Sequence, residues 1–158
     1  MKRQRKKYSR PKRPWDKDRI KGEKKLLQEF GLRRKKEIWR AEAILRDFRR
    51  RARELAAHEN KEQEALLLNG LFRLGLIKKD ASLDDVLGLT VERLLERRLQ
   101  TLVLKKGLAN TQKQARQYIV HGHIAVKGRR TRWPSILVTT EEEATVKFYS
   151  KSPIGVKK

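Results

Sequence analysis

The sequence predicts an α+β protein: an N-terminal helical lobe, followed by a small basic module of two or more helices packed on a short antiparallel sheet. Three observations predict it. Apolar residues recur every three to four positions through the first half of the chain. After Gly122 that period gives way to short β-type runs around a Lys127-Gly128 turn. Residues 97–132 carry ten Lys or Arg and no Asp or Glu. Such an acid-free surface is comfortable only beside a polyanion, which makes folded RNA the expected partner.

Composition narrows the function classes. The chain has 158 residues of which 37% are apolar, enough for one ordinary domain or two small lobes with modest cores, and too little for a large enclosed active site. The formal charge is +23, and phosphate is the natural neutralising group because each Lys or Arg contact releases condensed counterions. A membrane surface would need a basic helix with an unused apolar face, and the apolar stripes here are committed to internal packing. Cysteine is absent, which excludes disulfides, thiolate metal sites and zinc fingers and fits a reducing compartment. No run of about 18 apolar residues occurs. With no apolar stretch behind the basic amino terminus, neither a membrane span nor a secretory signal is expected, and the cytosol or nucleus is the expected location.

Residues 1–14 hold eight Lys or Arg, no acid and two prolines. They cannot bury enough surface to fold alone, so 1–15 is expected to be an arm, disordered when free, that lays Arg3, Arg5, Lys6 and Lys7 on a polyanion. Trp15 marks where it meets the folded body. The helical lobe is expected over 16–89. A first helix fits 16–30, with Asp16 and Asp18 at its positive end and Gly31 as its stop. Over 33–58, Ile38, Ala41, Leu45, Phe48, Ala52 and Leu55 make one apolar seam, with Arg46, Arg49, Arg50 and Arg53 falling largely elsewhere. Ten basic residues meet only four acidic ones there, too few for side-chain pairing along the helix, so the arginines point to phosphate. A third helix over 62–74 supplies Leu67, Leu68, Leu71, Phe72 and Leu74 to the core and ends at Gly75. The acidic stretch 80–88 reads as a connector, its acids turned away from the RNA.

The RNA-binding module is expected over 90–150, with a C-terminal tail at 151–158. Thr90 caps a helix whose stripe is Val91, Leu95, Leu99 and Leu102 and which Gly107 ends. Thr111, with Gln114 three residues on, opens a second helix that turns Ala115, Tyr118 and Ile119 inward and Gln112, Lys113, Arg116 and Gln117 outward. Gly122 stops it. Residues 124–126 and 129–130 form a hairpin, and 136–138 and 144–149 two further strands around a solvated, mutually repulsive tip at Glu141, Glu142 and Glu143.

The amides and positive dipole end at Thr111 favour a phosphate, and Lys113 and Arg116 lie one turn apart on the outward side. Arg97, Arg98, Lys105 and Lys106 from the preceding helix, with Lys127, Arg129 and Arg130 on the hairpin, are expected to border the same groove. Tyr118 is expected to be buried and Trp133 to support the core, so the surface should read helix shape and backbone rather than stack single bases. His121 and His123 have no cysteine or nearby acid to complete a metal site and are expected to cap the helix and hydrogen-bond RNA; no metal or other cofactor is expected. With no Gly-rich phosphate loop, no cysteine nucleophile and no acid within 97–132, the chain reads as a binding protein and not an enzyme.

At this point the residues themselves invite comparison. Gly107-Leu108-Ala109, then Thr111, Gln114-Ala115-Arg116, Ile119, Gly122-His123-Ile124, Val126 and Gly128 closely resemble the RNA-binding module named after small-subunit ribosomal protein four, over about 96–138. That module also occurs in pseudouridine synthases. The opening Lys2-Arg3-Gln4-Arg5-Lys6-Lys7-Tyr8, the run from Phe48 to Arg53 and the run from Leu89 to Gln100 are similar to the archaeal form of the ribosomal protein family. The resemblance implies direct, early binding of 16S-type small-subunit rRNA near a multi-helix junction, nucleation of the subunit body, and an influence on decoding accuracy together with small-subunit proteins five and twelve. It implies a ribonucleoprotein in the cytoplasmic small subunit rather than a homo-oligomer or a membrane protein. Carried over by position, Lys113 and Arg116 are the helix face on RNA, and Arg129 and Arg130 the hairpin edge. Two departures stand out. The turn, Asn-Gly in much of the family, is Lys127-Gly128 here, which asks a lysine to adopt a positive φ at a cost of about 1 kcal/mol unless a phosphate offsets it. The arm also lacks the cysteine knuckle of many bacterial members. A free-standing RNA chaperone or ribosome-assembly or rescue factor using the same module is the alternative, and an RNA-modifying enzyme lacks room for a catalytic domain.

Overall fold

The computed structural model describes residues 6–58 and 60–154. Arg3 and Arg5 lie outside the described residues. The N-terminal half is helical, and each helix starts and stops where local chemistry dictates. The Asp16 carboxylate caps α1 (Lys17–Glu29) by accepting from the amides of Asp18 and Arg19 at 3.2 and 3.3 Å, and Gly31 ends the turn after it at φ 56°. The long α2 (Lys35–His58) buries Ile38, Ala41, Leu45 and Ala52, with Phe48 packed beside them. Asn60 caps α3 (Lys61–Arg73), which buries Leu71 but leaves Phe72 turned out to solvent, so the expected core role holds for only part of that helix.

The acidic stretch is more than a connector. It contains α4 (Leu83–Leu87), opened by the Ser82 amide donating to the Asp85 carboxylate at 2.9 Å, and Val86 and Leu89 are fully buried against α2. Five residues are too few to display a helical period, and for that reason the sequence reading passes over it.

The helix expected after Thr90 is two helices. α5 (Val91–Glu96) stops, the chain extends through Arg98, and α6 (Leu99–Lys105) begins on a new axis. The cause is a crossing strand: Val138 donates to the Arg97 carbonyl at 3.0 Å and Leu99 to the Ile136 carbonyl at 2.8 Å. An antiparallel bridge between Arg98 and Leu137 therefore takes the place of one helical turn. Thr111 caps α7 (Gln112–His121) through the Gln114 amide at 3.2 Å, and Gly122 ends it at φ 76°.

The sheet is smaller than expected. β1 (Ile124–Val126) pairs antiparallel with β2 (Arg129–Thr131), Val126 opposite Arg129, around a turn in which Lys127 (φ 50°) and Gly128 (φ 75°) both take positive φ. Residues 136–138 stay outside it because their backbone is spent on the Arg97–Leu99 break. Glu141, Glu142 and Glu143 are not a loop tip but lie in α8 (Thr140–Thr145), whose cap Thr139 exchanges hydrogen bonds with Glu142. Only β3 (Lys147–Phe148) returns to the sheet, on the other edge of β1, giving the order β2-β1-β3.

Two apolar clusters result. One lies among α1 to α5 and ends at Leu94 and Leu95; the other runs from Leu99 through α6, α7 and β1 to Val138 and Val146. The clusters divide at the break between α5 and α6. Polar groups weld the two halves there. The fully buried Gln100 amide faces the carbonyls of Phe30, Gly31 and Gln112 at 3.2, 3.1 and 3.0 Å. Gly31 sits so close to Gln112 that a Cβ on it would lie 2.6 Å from the Gln112 Cβ, so glycine is required there by both φ and space.

Candidate nucleic-acid interface

The basic residues divide into those spent inside the protein and those left to a partner. Glu37 of α2 accepts from Arg98 Nη2 at 2.6 Å and from Arg116 Nη1 and Nη2 at 3.2 and 3.1 Å. Burial pushes the Glu37 carboxyl up, but hydrogen bonds and charge from Arg116 and Arg98 outweigh it and hold the group below its ordinary range. Arg97 pairs with Glu143 at 2.7 Å and donates to the Val138 carbonyl at 3.0 Å. Arg97, Arg98 and Arg116 thus serve as internal ties as well as expected RNA contacts: helical periodicity puts Arg116 on the outward side of α7, but outward from the module is toward α2.

Other expected contacts carry local duties as well. The Thr111 hydroxyl is a helix cap, and Gln112 lies at the weld between the two halves. Lys106 bonds to the carbonyls of Glu143 and Val146, and Lys105 lies 3.1 Å from Glu96 at the surface. Arg130 donates to the carbonyls of Gly122 and His121 at 2.9 and 3.0 Å, closing the end of α7. Lys127 is strapped down from both ends, its amide donating to Thr145 Oγ1 at 3.0 Å and its Nζ 2.9 Å from Glu142, whose carboxyl this contact helps hold below its ordinary range. Protein groups, without a phosphate, therefore support its unusual backbone. His123 is half-buried with Nδ1 3.0 Å from Ser152 Oγ, and its ring stacks 6.1 Å from that of His121. Among the described residues no three His, Cys, Asp or Glu side chains gather as a metal site, and no helix is long and apolar enough to cross a membrane.

Other basic residues remain outward. Lys113, Gln117 and His121 recur every four residues along one exposed face of α7, with Val120 half exposed beside them. Arg129 and Arg132 are exposed on and just after β2. On α2, Arg46 donates to Ser9 Oγ at 2.9 Å, tying down the arm, whose Tyr8 ring lies 6.1 Å from that of Trp39. Arg49 bonds to the Leu89 carbonyl, Arg50 bridges Asp47 and Glu54 at 2.9 and 2.8 Å, and Arg53 points to solvent with Lys6 and Lys7. Sequence reasoning left out Arg132, Arg34, Lys36 and Arg40, all exposed. The run of four basic residues at 33–36 was the available signal for two of them. Trp133 is 67% exposed rather than a core support.

Comparison with known proteins decides the family. The S4 domain model matches residues 97–143. Small ribosomal subunit protein uS4 of Methanococcus aeolicus is 53% identical over 152 residues, covering 94% of this chain and 86% of the relative. The chain belongs to the uS4 family. The uS4 proteins of Methanothermobacter thermautotrophicus and Ignicoccus hospitalis are 49% and 51% identical, covering 95% and 94% of the chain and 90% and 92% of their own lengths. The matched S4 domain begins at Arg97, beside the break between α5 and α6 that divides the two apolar clusters, so family signature and packing part the chain at nearly the same place.

Proposed function

We propose that this uS4 family member is a structural constituent of the cytoplasmic small ribosomal subunit that binds small-subunit rRNA directly, without catalysis. The observation that carries the reading is the exposed basic face of its S4 domain, Lys113 with Arg129 and Arg132, in a region where most acids are already paired internally. Arg53, Lys6 and Lys7 are exposed on the helical lobe and its arm and are assigned to the same RNA, as are Arg3 and Arg5 on grounds of charge alone. Because every such contact is to a mobile-ion-coated backbone, affinity should fall steeply with salt. An early role in assembling the subunit body, contact with small-subunit protein five, and a contribution to decoding accuracy shared with protein twelve belong to the same reading and rest on the family resemblance. Sedimentation of the tagged chain in lysate through a sucrose gradient tests it. Stoichiometric co-migration with small subunits through a high-salt wash is expected, and protein that leaves with the salt would favour an assembly or rescue factor instead.

A further inference from the structure

A cleft of about 240 Å³ opens where α2 meets the junction of α5 and α6. Its floor is apolar: Ala41 and Ile44 from α2, Leu94 and Leu95 from α5, and Leu137 from the crossing strand. At its mouth stand Arg34, Lys36 and Arg40, all exposed. The one carboxylate in the lining, Glu37, is already held by Arg98 and Arg116. Arg98 forms part of the wall at 5% exposure, its guanidinium spent on Glu37.

A phosphate alone would need the cations and gain nothing from the apolar floor; an apolar side chain would gain nothing from three unneutralised cations. A nucleotide uses both features. Its base has apolar faces, and its phosphates remain at the lip. The volume lies just below the ~300–1,000 Å³ typical of small-molecule sites, room for one ring system and not for a helical groove. We propose that this cleft receives a single unstacked nucleotide from a loop or bulge of the bound RNA, its base on the apolar floor and its flanking phosphates on Arg34, Lys36 and Arg40. The proposal rests on the rRNA-binding reading and goes beyond it, because it gives the protein a contact with an unpaired base where its other exposed basic residues offer contacts to backbone.

The test uses the full chain and small-subunit rRNA. Ser135 lines the mouth and is exposed, so Ser135→Trp should close the cleft without touching the core. Affinity is expected to fall about tenfold, the scale of one stacked base, with an unchanged salt slope. Arg40→Gln should instead lower the slope by about one contact, and it carries the test if the Trp variant fails to fold by circular dichroism. A photo-crosslinking residue at Lys36 should mark one or a few unpaired nucleotides. Crosslinks confined to paired RNA or to a neighbouring protein of the assembled subunit, or affinity untouched by Ser135→Trp, would overturn the proposal. Lys113→Ala on α7, outside the cleft lining, is the control: wild-type protein that binds, is weakened at Lys113 and is indifferent at the cleft sinks the cleft alone, whereas wild-type protein that does not bind rRNA sinks the function and the cleft together.

Discussion

Replacing Glu37 by alanine should uncouple the two halves of the molecule. The carboxylate is one-fifth exposed and accepts from Arg98, Arg116 and the Arg33 amide, the last at 3.2 Å. Removing it strands two guanidinium groups unequally. Arg98, at 6% side-chain exposure, has nowhere to turn, whereas Arg116, at 24%, can rotate toward water. Breaking a buried pair by deleting one partner costs about 3–5 kcal/mol, and with only one of the two arginines trapped the lower end applies, about 3 kcal/mol. Glu37→Gln keeps an acceptor but no charge and should cost about half as much. The pH dependence follows from the same contacts. Because the folded carboxyl titrates below its ordinary value of 4.5, its contribution is present above the unfolded pKa and is lost as pH falls through the folded one. Glu37→Gln should therefore flatten the acid limb of stability below about pH 4.5 while leaving the neutral region offset but parallel. Urea unfolding at constant m-value, repeated across that range, measures both effects. A loss under about 1 kcal/mol for Glu37→Ala, or an acid limb as steep in Glu37→Gln as in the parent, would refute the assignment of this carboxylate as the tie between lobe and module.

Three further outcomes follow from named contacts. Lys113→Ala combined with Arg116→Ala should lower the salt slope of RNA binding by about one contact rather than two, since only Lys113 faces outward; filter binding across a salt series reads this, and a drop of two would return Arg116 to the interface. Gly122→Ala should destabilise by well over 1 kcal/mol in thermal unfolding, because φ is 76° and the new Cβ would collide with the Arg130 guanidinium that closes α7. Lys127→Asn should be neutral or stabilising by about 0.5 kcal/mol, the easier left-handed backbone outweighing loss of an exposed pair with Glu142; a clear loss of stability would make that pair the stronger term.

The long periodic elements were legible. The Ile38, Ala41, Leu45 and Ala52 seam, the Thr111 cap, the Gly122 stop and the Lys127-Gly128 turn all carry their geometry in local sequence, because each is set by propensities or φ preferences within a few residues. What the sequence hid was set from a distance. Nothing near Arg97 announces that Leu99 and Val138 exchange backbone bonds with partners some forty residues away and cut a helix in two. The acidic run at 141–143 could be read as a repulsive tip only while Arg97 and Lys127, which pair with Glu143 and Glu142, were distant in the chain. Arg116 shows the same limit: the exposure of Lys113 was readable from the period of α7, and the internal use of Arg116 was not, because Glu37 lies 79 residues earlier.

Internal pairing explains how so basic a chain folds at all. The ion pairs that are least exposed on the cationic side use arginine throughout: Arg19 with Glu23, Arg97 with Glu143, and Arg98 and Arg116 with Glu37. The paired lysines, Lys35, Lys105 and Lys127, keep 42%, 52% and 57% of their side chains in solvent. Guanidinium is weakly hydrated and presents a planar fork, so it can enter an interior beside a carboxylate, whereas an ammonium group holds its water. At Glu23, burial pushes the carboxyl up, yet hydrogen bonds from Trp39 and Arg19 and the nearby Lys35 ammonium bring it below its ordinary range. A scarce supply of acids is thereby concentrated where two packed halves must be fastened, and each buried carboxylate takes one or two arginines out of the surface charge. Pairing and burial, and not the count of positive charges, then separate the cations that fasten the fold from those left outward: Arg98 and Arg116 are held by Glu37, whereas Lys113, Arg129 and Arg132 are exposed.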